Sequence, residues 1–247
     1  MTLPRALAIP AAVAVVLTVV GAWVDGSRSS SSSPPATVPA TSSTIAVAVA
    51  NGPATSCTSV VHVGDSTSVG LVSEDFIADP AARVDAQYRR VGVADPRMEI
   101  SGARSIVETV GEQLNAADAA AAVKATGYEG CWVLAMGTTD TANVAVGSPV
   151  DRPARIDRML AVIGDDPILW VTVKTLETEG DWSEANMQLW NETLREAQAR
   201  YPNIRLFDWA AVVQDAWFQD DGIHYTSAGN VERARLIADA LVAAYPP

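Results

Sequence analysis

The chain contains only two histidines, His62 and His224, so any proton relay built on an imidazole has two candidates. His224 follows Asp221 by three residues in Asp221-Gly222-Ile223-His224, a polar stretch just ahead of the last apolar-periodic segment. A carboxylate that close can hold one imidazole nitrogen and stabilise the imidazolium formed when the other nitrogen takes a proton. The blander reading of the same residues is a surface turn, because Asp-Gly is a common turn pair. His62 lies inside an apolar, β-branched run and reads as a hydrogen-bonded core or near-surface histidine. The hydroxyl such a base would activate is Ser66, in Gly64-Asp65-Ser66-Thr67-Ser68. A serine alcohol is a poor nucleophile until a base removes its proton. Ser66 falls where an apolar run gives way to a helix-like pattern. Free backbone N–H groups and the helix dipole favour developing negative charge at such a place. An ordinary N-cap serine is the plainer reading, and Ser68 would serve as well.

These groups need a frame to bring them together. Residues 58–63, 130–136, 168–173 and 204–207 are short apolar runs that read as buried strands. Helical patterns follow Ser66, with Val69, Leu71 and Val72, and cover residues 103–125, 152–163 and 183–199. The final segment places Val231, Ala234, Ala238, Leu241 and Tyr245 three and four apart, an amphipathic helix with Ser227 as its expected N-cap. Strands alternating with helices imply parallel βαβ units: an α/β fold with a doubly wound, mostly parallel sheet flanked by helices. In such a sheet, sites form at the carboxyl ends of the strands. Gly64–Ser68, Gly137-Thr138-Thr139-Asp140 and Asp221–His224 all lie at those ends or on loops able to reach them.

The remaining composition limits the biology. Residues 6–24 hold no charge and are long enough to cross a bilayer as a helix. A small-residue site at Val20-Gly21-Ala22 also suits a cleaved secretory signal, so residues 1–26 are either a signal peptide or a single membrane anchor. Either reading expects the rest of the chain to be extracytoplasmic, secreted or held at the membrane. Residues 27–56, rich in Ser, Pro and Thr, read as a flexible linker, and residues 57–247 as one globular domain. The apolar island at residues 45–50 has no reading. The formal net charge is −12 for the whole chain. Residues 1–56 contribute Arg5, Arg28 and Asp25, so the globular part carries all of this deficit and more. An acidic domain without a Lys/Arg cluster excludes nucleic acid as a partner. Two histidines and two cysteines offer no cluster with metal-ligand spacing, so neither metal nor other cofactor is expected.

Taken together, the blocks resemble the SGNH/GDSL hydrolases. Gly64-Asp65-Ser66-Thr67-Ser68 is similar to that family's nucleophile block, and Asp221-Gly222-Ile223-His224 to its last block. Ser101-Gly102-Ala103-Arg104-Ser105 resembles the second block and Gly137-Thr138-Thr139-Asp140 the third, usually Gly-x-Asn-Asp. Asp208-Trp209 after the fourth apolar run is also family-like. The resemblance covers nearly all of residues 57–247. It implies a flavodoxin-like three-layer sandwich and a Ser66–His224–Asp221 triad acting on carboxylic esters. The oxyanion hole it implies takes backbone N–H groups of Ser66 and Gly102. This chain departs from the pattern at Thr139, where the family has its oxyanion asparagine; Asn143 is the alternative donor. The blocks around Ser66, at residues 101–108 and at 139–147 look most like extracytoplasmic domains associated with membrane acyltransferases of the bacterial cell envelope. That resemblance implies an esterase removing short acyl groups from an envelope polysaccharide or glycolipid, with a membrane acyltransferase as a further partner. The alternatives are an O-acyltransferase to a sugar hydroxyl, or a silent glycan-binding module.

Cys57 and Cys131 lie shortly before Gly64 and Gly137. In a doubly wound sheet this places both at the amino-terminal edge of neighbouring parallel strands, where a disulfide is expected. Trp182, Trp190, Trp217 and Phe218 are either cleft aromatics or core, with Trp217 and Phe218 nearest the Asp221/His224 loop.

Overall fold

A computed structural model describes residue 52 and residues 54–247. The signal or anchor segment, the apolar island at 45–50 and nearly all of the linker lie outside the described residues. Folded contacts begin slightly ahead of Cys57. The Thr55 amide donates to the Val91 carbonyl at 2.9 Å, and the Thr55 hydroxyl to that of Tyr245 at 2.8 Å. Among the described residues, no helix is long and apolar enough to cross a membrane.

In chain order the elements are β1 (Ser59–Gly64), α1 (Ser66–Val69), α2 (Val84–Arg90), β2 (Asp95–Ile100), α3 (Ala116–Lys124), β3 (Cys131–Ala135) and α4 (Thr138–Ala145). There follow α5 (Arg152–Ile163), β4 (Ile168–Val171), α6 (Glu184–Arg200), β5 (Ile204–Phe207), α7 (Trp209–Val212) and α8 (Ser227–Ala244). The five strands pair in parallel in the order β2-β1-β3-β4-β5. This is the doubly wound order in which the strand order reverses between β1 and β3, and the crevice there is the expected ligand position.

The inner strands β3 and β4 are apolar and buried at every position because both sheet faces are covered. Val61, Val63, Trp132, Leu134 and Trp170 pack with Ala120 of α3, Ile156 of α5 and Trp190 of α6. Val60, Val133, Leu169 and Val171 pack on the other face with Tyr88 of α2 and Ala234, Ile237 and Leu241 of α8. The result is three layers, helix–sheet–helix.

The structure differs from the sequence expectations in four places. The edge strand β2 carries no apolar run; it starts Asp95-Pro96 and is only half-buried, as an edge position tolerates. The helix expected over 103–125 forms only from Ala116, where the Asn115 side chain caps it by accepting from the Asp118 amide. Residues 101–114 are instead a loop that passes the site. The helix after Ser66 is a single turn. At α8 the cap is Thr226 rather than Ser227, its hydroxyl accepting from the Gly229 amide at 3.2 Å.

The Cys57–Cys131 disulfide is formed, with the Cα atoms 5.7 Å apart. Cys131 begins β3 beside Val60, so the bond staples the amino-terminal edge of the two central strands. Closing a loop of this length stabilises by about 4 kcal/mol in the chain-entropy account.

Candidate active site

Ser66 is carried to the carboxyl end of β1 by a tight reversal into α1. Gly64 allows it: a Cβ there would stand 2.5 Å from the Ser68 Cβ, so the helical turn can lie on the strand end only over a glycine. Asp65 caps the turn, its Oδ1 accepting from the Thr67 amide at 2.9 Å and the Thr67 hydroxyl at 2.7 Å. Ser66 is then the first helical residue, a position whose N–H has no intrahelical acceptor.

His224 arrives from the far end of the chain. Its Nε2 is 2.9 Å from Ser66 Oγ and its Nδ1 is 2.7 Å from Asp221 Oδ2. An ionised carboxylate only accepts, so Nδ1 carries the ring proton and Nε2 is the acceptor facing the serine hydroxyl. Asp221 Oδ1 accepts the backbone amides of Ile223 and His224, both at 2.9 Å, which fixes the carboxylate before it touches the ring. Burial works to raise the Asp221 pKa, but the His224 hydrogen bond and the two amides hold it below the usual carboxylate range. The pair is open to solvent, with side chains 37% and 45% exposed for His224 and Asp221.

The oxyanion candidates separate. Gly102 sits on an exposed turn after β2, and its amide makes no hydrogen bond among the described residues. The next residue, Ala103, holds φ +54°, a left-handed conformation that costs a residue with a Cβ about 1 kcal/mol. Thr139 lies in the first turn of α4 at the carboxyl end of β3; its hydroxyl is buried without a partner. The Thr139 amide lies near the Asp65 carboxylate, so Thr139 abuts the nucleophile turn; Asp65 Oδ2 makes no hydrogen bond of good geometry. Asn143 is committed elsewhere: its Nδ2 donates to Glu108 Oε2 at 2.9 Å. The reason is Arg155, a wholly buried side chain that gathers Glu108, Asp140 and the Ser148 hydroxyl into one network. Burial pushes Asp140 up to about 7, against the Ile106 amide and the Arg155 charge. The Asn143 amide is thus engaged with the loop at residues 101–114.

His62 is buried, with Nδ1 2.7 Å from Tyr88 Oη and Nε2 3.4 Å from Ser68 Oγ. Burial, aided by the Arg233 charge, lowers its pKa to about 3, so it stays neutral. Arg233 passed unnoticed in the sequence. It is buried on α8, donates to the Thr67 carbonyl at 2.7 Å, and stacks 5.0 Å from the Tyr225 ring centre. It therefore satisfies a carbonyl that the single-turn α1 leaves unpaired. The visible signal was a charge at helical spacing on an otherwise apolar face, Asn230-x-x-Arg233-Ala234.

A cleft of about 310 Å³ opens beside Ser66 and His224, with Val69, Phe76, Gln219 and Tyr225 among its walls. None of the four expected aromatics borders it. Trp190 and Phe218 are buried, Trp217 stacks on Trp209 at 5.8 Å, and Trp182 packs against the core. Phe76 was missed because nothing in its loop marks it in sequence.

No protein-family model and no curated protein sequence matches the chain. Solved structures do. Est24, a carbohydrate acetylesterase from Sinorhizobium meliloti, is 17% identical with a TM-score of 0.58, over 75% of this chain and 98% of that one. An inhibitor-bound aryl esterase of M. smegmatis is 21% identical with a TM-score of 0.56, over 75% and 98%. The C-terminal catalytic domain of Streptococcus pneumoniae peptidoglycan O-acetyltransferase A, bearing a methylsulfonyl adduct, is 16% identical with a TM-score of 0.50, over 76% and 92%. At such identities the likeness is one of fold, and the fold is that of the SGNH/GDSL hydrolases.

Proposed function

We propose that the protein is an extracytoplasmic serine esterase that removes short acyl groups from a cell-envelope glycan or glycolipid. The observation that carries this reading is the unbroken hydrogen-bond chain from Ser66 Oγ through the His224 ring to Asp221. His224 Nε2 takes the hydroxyl proton as Ser66 Oγ bonds to the ester carbonyl carbon, and Asp221 stabilises the imidazolium. The carbonyl oxygen becomes an oxyanion facing the Ser66 and Gly102 N–H groups. The C–O bond to the alcohol then breaks, the proton passes from His224 to the departing oxygen, and an acyl-Ser66 remains. Water attacks this acyl-enzyme with His224 as base, releasing the acid.

A sugar hydroxyl in place of that water makes the protein an O-acyltransferase. Structural likeness to an acetylesterase of carbohydrate and to a peptidoglycan O-acetyltransferase domain supports the choice of substrate. The uncharged residues 6–24 support export, as a cleaved signal or a retained anchor.

The test is turnover of a chromogenic short-chain ester together with labelling by a serine-directed phosphonate. Wild type should turn over and label at Ser66, and Ser66→Ala should lose about three decades or more. Full activity in Ser66→Ala, or labelling at Ser68 alone, overturns the reading. No turnover by wild type, with glycan binding retained, identifies a silent binding module instead.

A further inference from the structure

At the tetrahedral carbon formed on Ser66, the four substituents cannot exchange places. The oxyanion turns to the Ser66 and Gly102 amides. The alcohol oxygen must lie within hydrogen-bond reach of His224 Nε2, which delivers its proton. The cleft described above is bordered by His224 and by neither Gly102 nor Thr139. Lined by the proton donor His224 and by only the Ser66 half of the oxyanion pair, it lies toward the alcohol side of the reacting carbon.

Its walls say what alcohol fits. One side is apolar: the Phe76 ring and Val69, the latter 38% exposed. Gln219 also lines it, and its Nε2 donates to the Tyr225 carbonyl at 2.8 Å. A carbonyl can only accept, so the amide orientation is fixed and Oε1 is the end left to accept from a ligand. Oε1 makes no hydrogen bond among the described residues. An aromatic ring and one pre-set acceptor in the same cleft match a pyranose ring, which has a C–H face and hydroxyl donors on its rim. An alkyl alcohol offers no donor to Gln219 Oε1 and gains nothing from it.

We infer that this cleft is the alcohol-side subsite for a single pyranose ring, stacked on Phe76 with a ring hydroxyl donating to Gln219 Oε1. The inference rests on the Ser66 esterase reading and adds which half of the ester the cleft holds.

The test compares kcat/KM for a panel of mono-O-acetylated methyl pyranosides with that for ethyl acetate. The acyl group is constant, and the ethyl alcohol has neither a ring to stack on Phe76 nor a hydroxyl to donate to Gln219. Wild type, Phe76→Leu and Gln219→Met are measured. The ratio of the best pyranoside to ethyl acetate should fall about tenfold in each variant, mainly through KM, as expected for one stacking contact or one hydrogen bond. An unchanged ratio in both variants overturns the subsite. So does a shift in preference between ethyl acetate and ethyl butyrate, which would assign the cleft to the acyl chain. Wild type that hydrolyses ethyl acetate but no pyranoside defeats the subsite alone. Wild type that hydrolyses neither ester and is not labelled at Ser66 defeats the esterase reading, and the subsite with it.

Discussion

The Leu176 amide donates to the Gly222 carbonyl at 2.7 Å, tying the loop after β4 to the turn between Asp221 and His224. The donor loop is itself held: the Asn191 side chain pairs with both the N–H and the C=O of Val173, at 2.9 and 2.7 Å. Gly222 sits at φ +65°, and a Cβ there would stand 2.9 Å from Glu177 Oε1. Gly222→Ala should therefore cost about 1 kcal/mol of stability from the left-handed backbone. It should also lower turnover by about tenfold or more, because the displaced loop carries both Asp221 and His224. Thermal unfolding and ester turnover on one preparation check both; wild-type turnover would show that the clamp does not position the relay.

Asp221→Asn keeps the loop amides partly satisfied but withdraws the charge opposite the imidazolium. In serine protease triads with a buried acid, that change costs roughly ten-thousandfold. Here the acid is 45% exposed, and water shares the stabilisation. The expected loss in kcat is about tenfold to a hundredfold. Steady-state kinetics on a short-chain ester decide it, and a loss comparable with that of Ser66→Ala would mean that solvent does not substitute for Asp221.

At Thr139 a short hydroxyl stands where the similar family has an amide, and the Asn143 amide is held by Glu108. One missing oxyanion donor is worth about 3 kcal/mol. Thr139→Asn should raise kcat by tenfold or more, with KM little changed, whereas Asn143→Ala should leave the chemical step within about threefold. A large loss in Asn143→Ala without loss of fold would return that residue to the oxyanion side.

His62 gives an acid-side signature in stability. Its pKa is about 3 in the fold against 6.5 in the unfolded chain, so the unfolded state binds more protons between those values. Stability then rises with pH across that window and is flat above it as far as His62 is concerned. Asp140, raised to about 7, works in the opposite sense from its ordinary 3.8 upward. His62→Gln should remove the rising component and leave the falling one from Asp140, so on going from pH 4 to pH 6.5 its denaturant midpoint should shift downward relative to that of wild type. Parallel profiles would show that His62 is not held neutral.

Replacing both cysteines with serine should lower stability by about 4 kcal/mol. The triad lies at the opposite edge of the sheet, so turnover below the unfolding transition should be preserved. Urea unfolding and activity of Cys57→Ser/Cys131→Ser measure the two effects separately.

How much of this was legible follows from what each residue does locally. The helix over Arg152–Ile163 was clear because its capping aspartate, its early proline and its apolar spacing agree. Ser66 and His224 were legible as chemistry: one lies at a strand end and the other three residues from a carboxylate. The strand β2 was not, since an edge position needs no apolar run. Residues 103–115 have helix-forming composition, but Ser105 and Asn115 bind backbone groups of the loop, and local polar bonds outweighed propensity. Arg233, Asn191 and Phe76 act only through partners far along the chain, and no local pattern announces such pairings.

The staple between Cys57 and Cys131 also settles how a pull is carried through the molecule. Tension from the preceding residues enters at Thr55, hydrogen-bonded to Val91 and Tyr245. Two residues later it reaches a covalent link to the start of β3. Load is thus shared between two central strands at the edge where the chain enters, and β1 is not peeled away from its neighbour. The far edge, with Ser66 on its one-turn helix, is shielded from that strain. A domain pulled at Thr55 would keep the catalytic geometry until the cross-link or the whole sheet gave way.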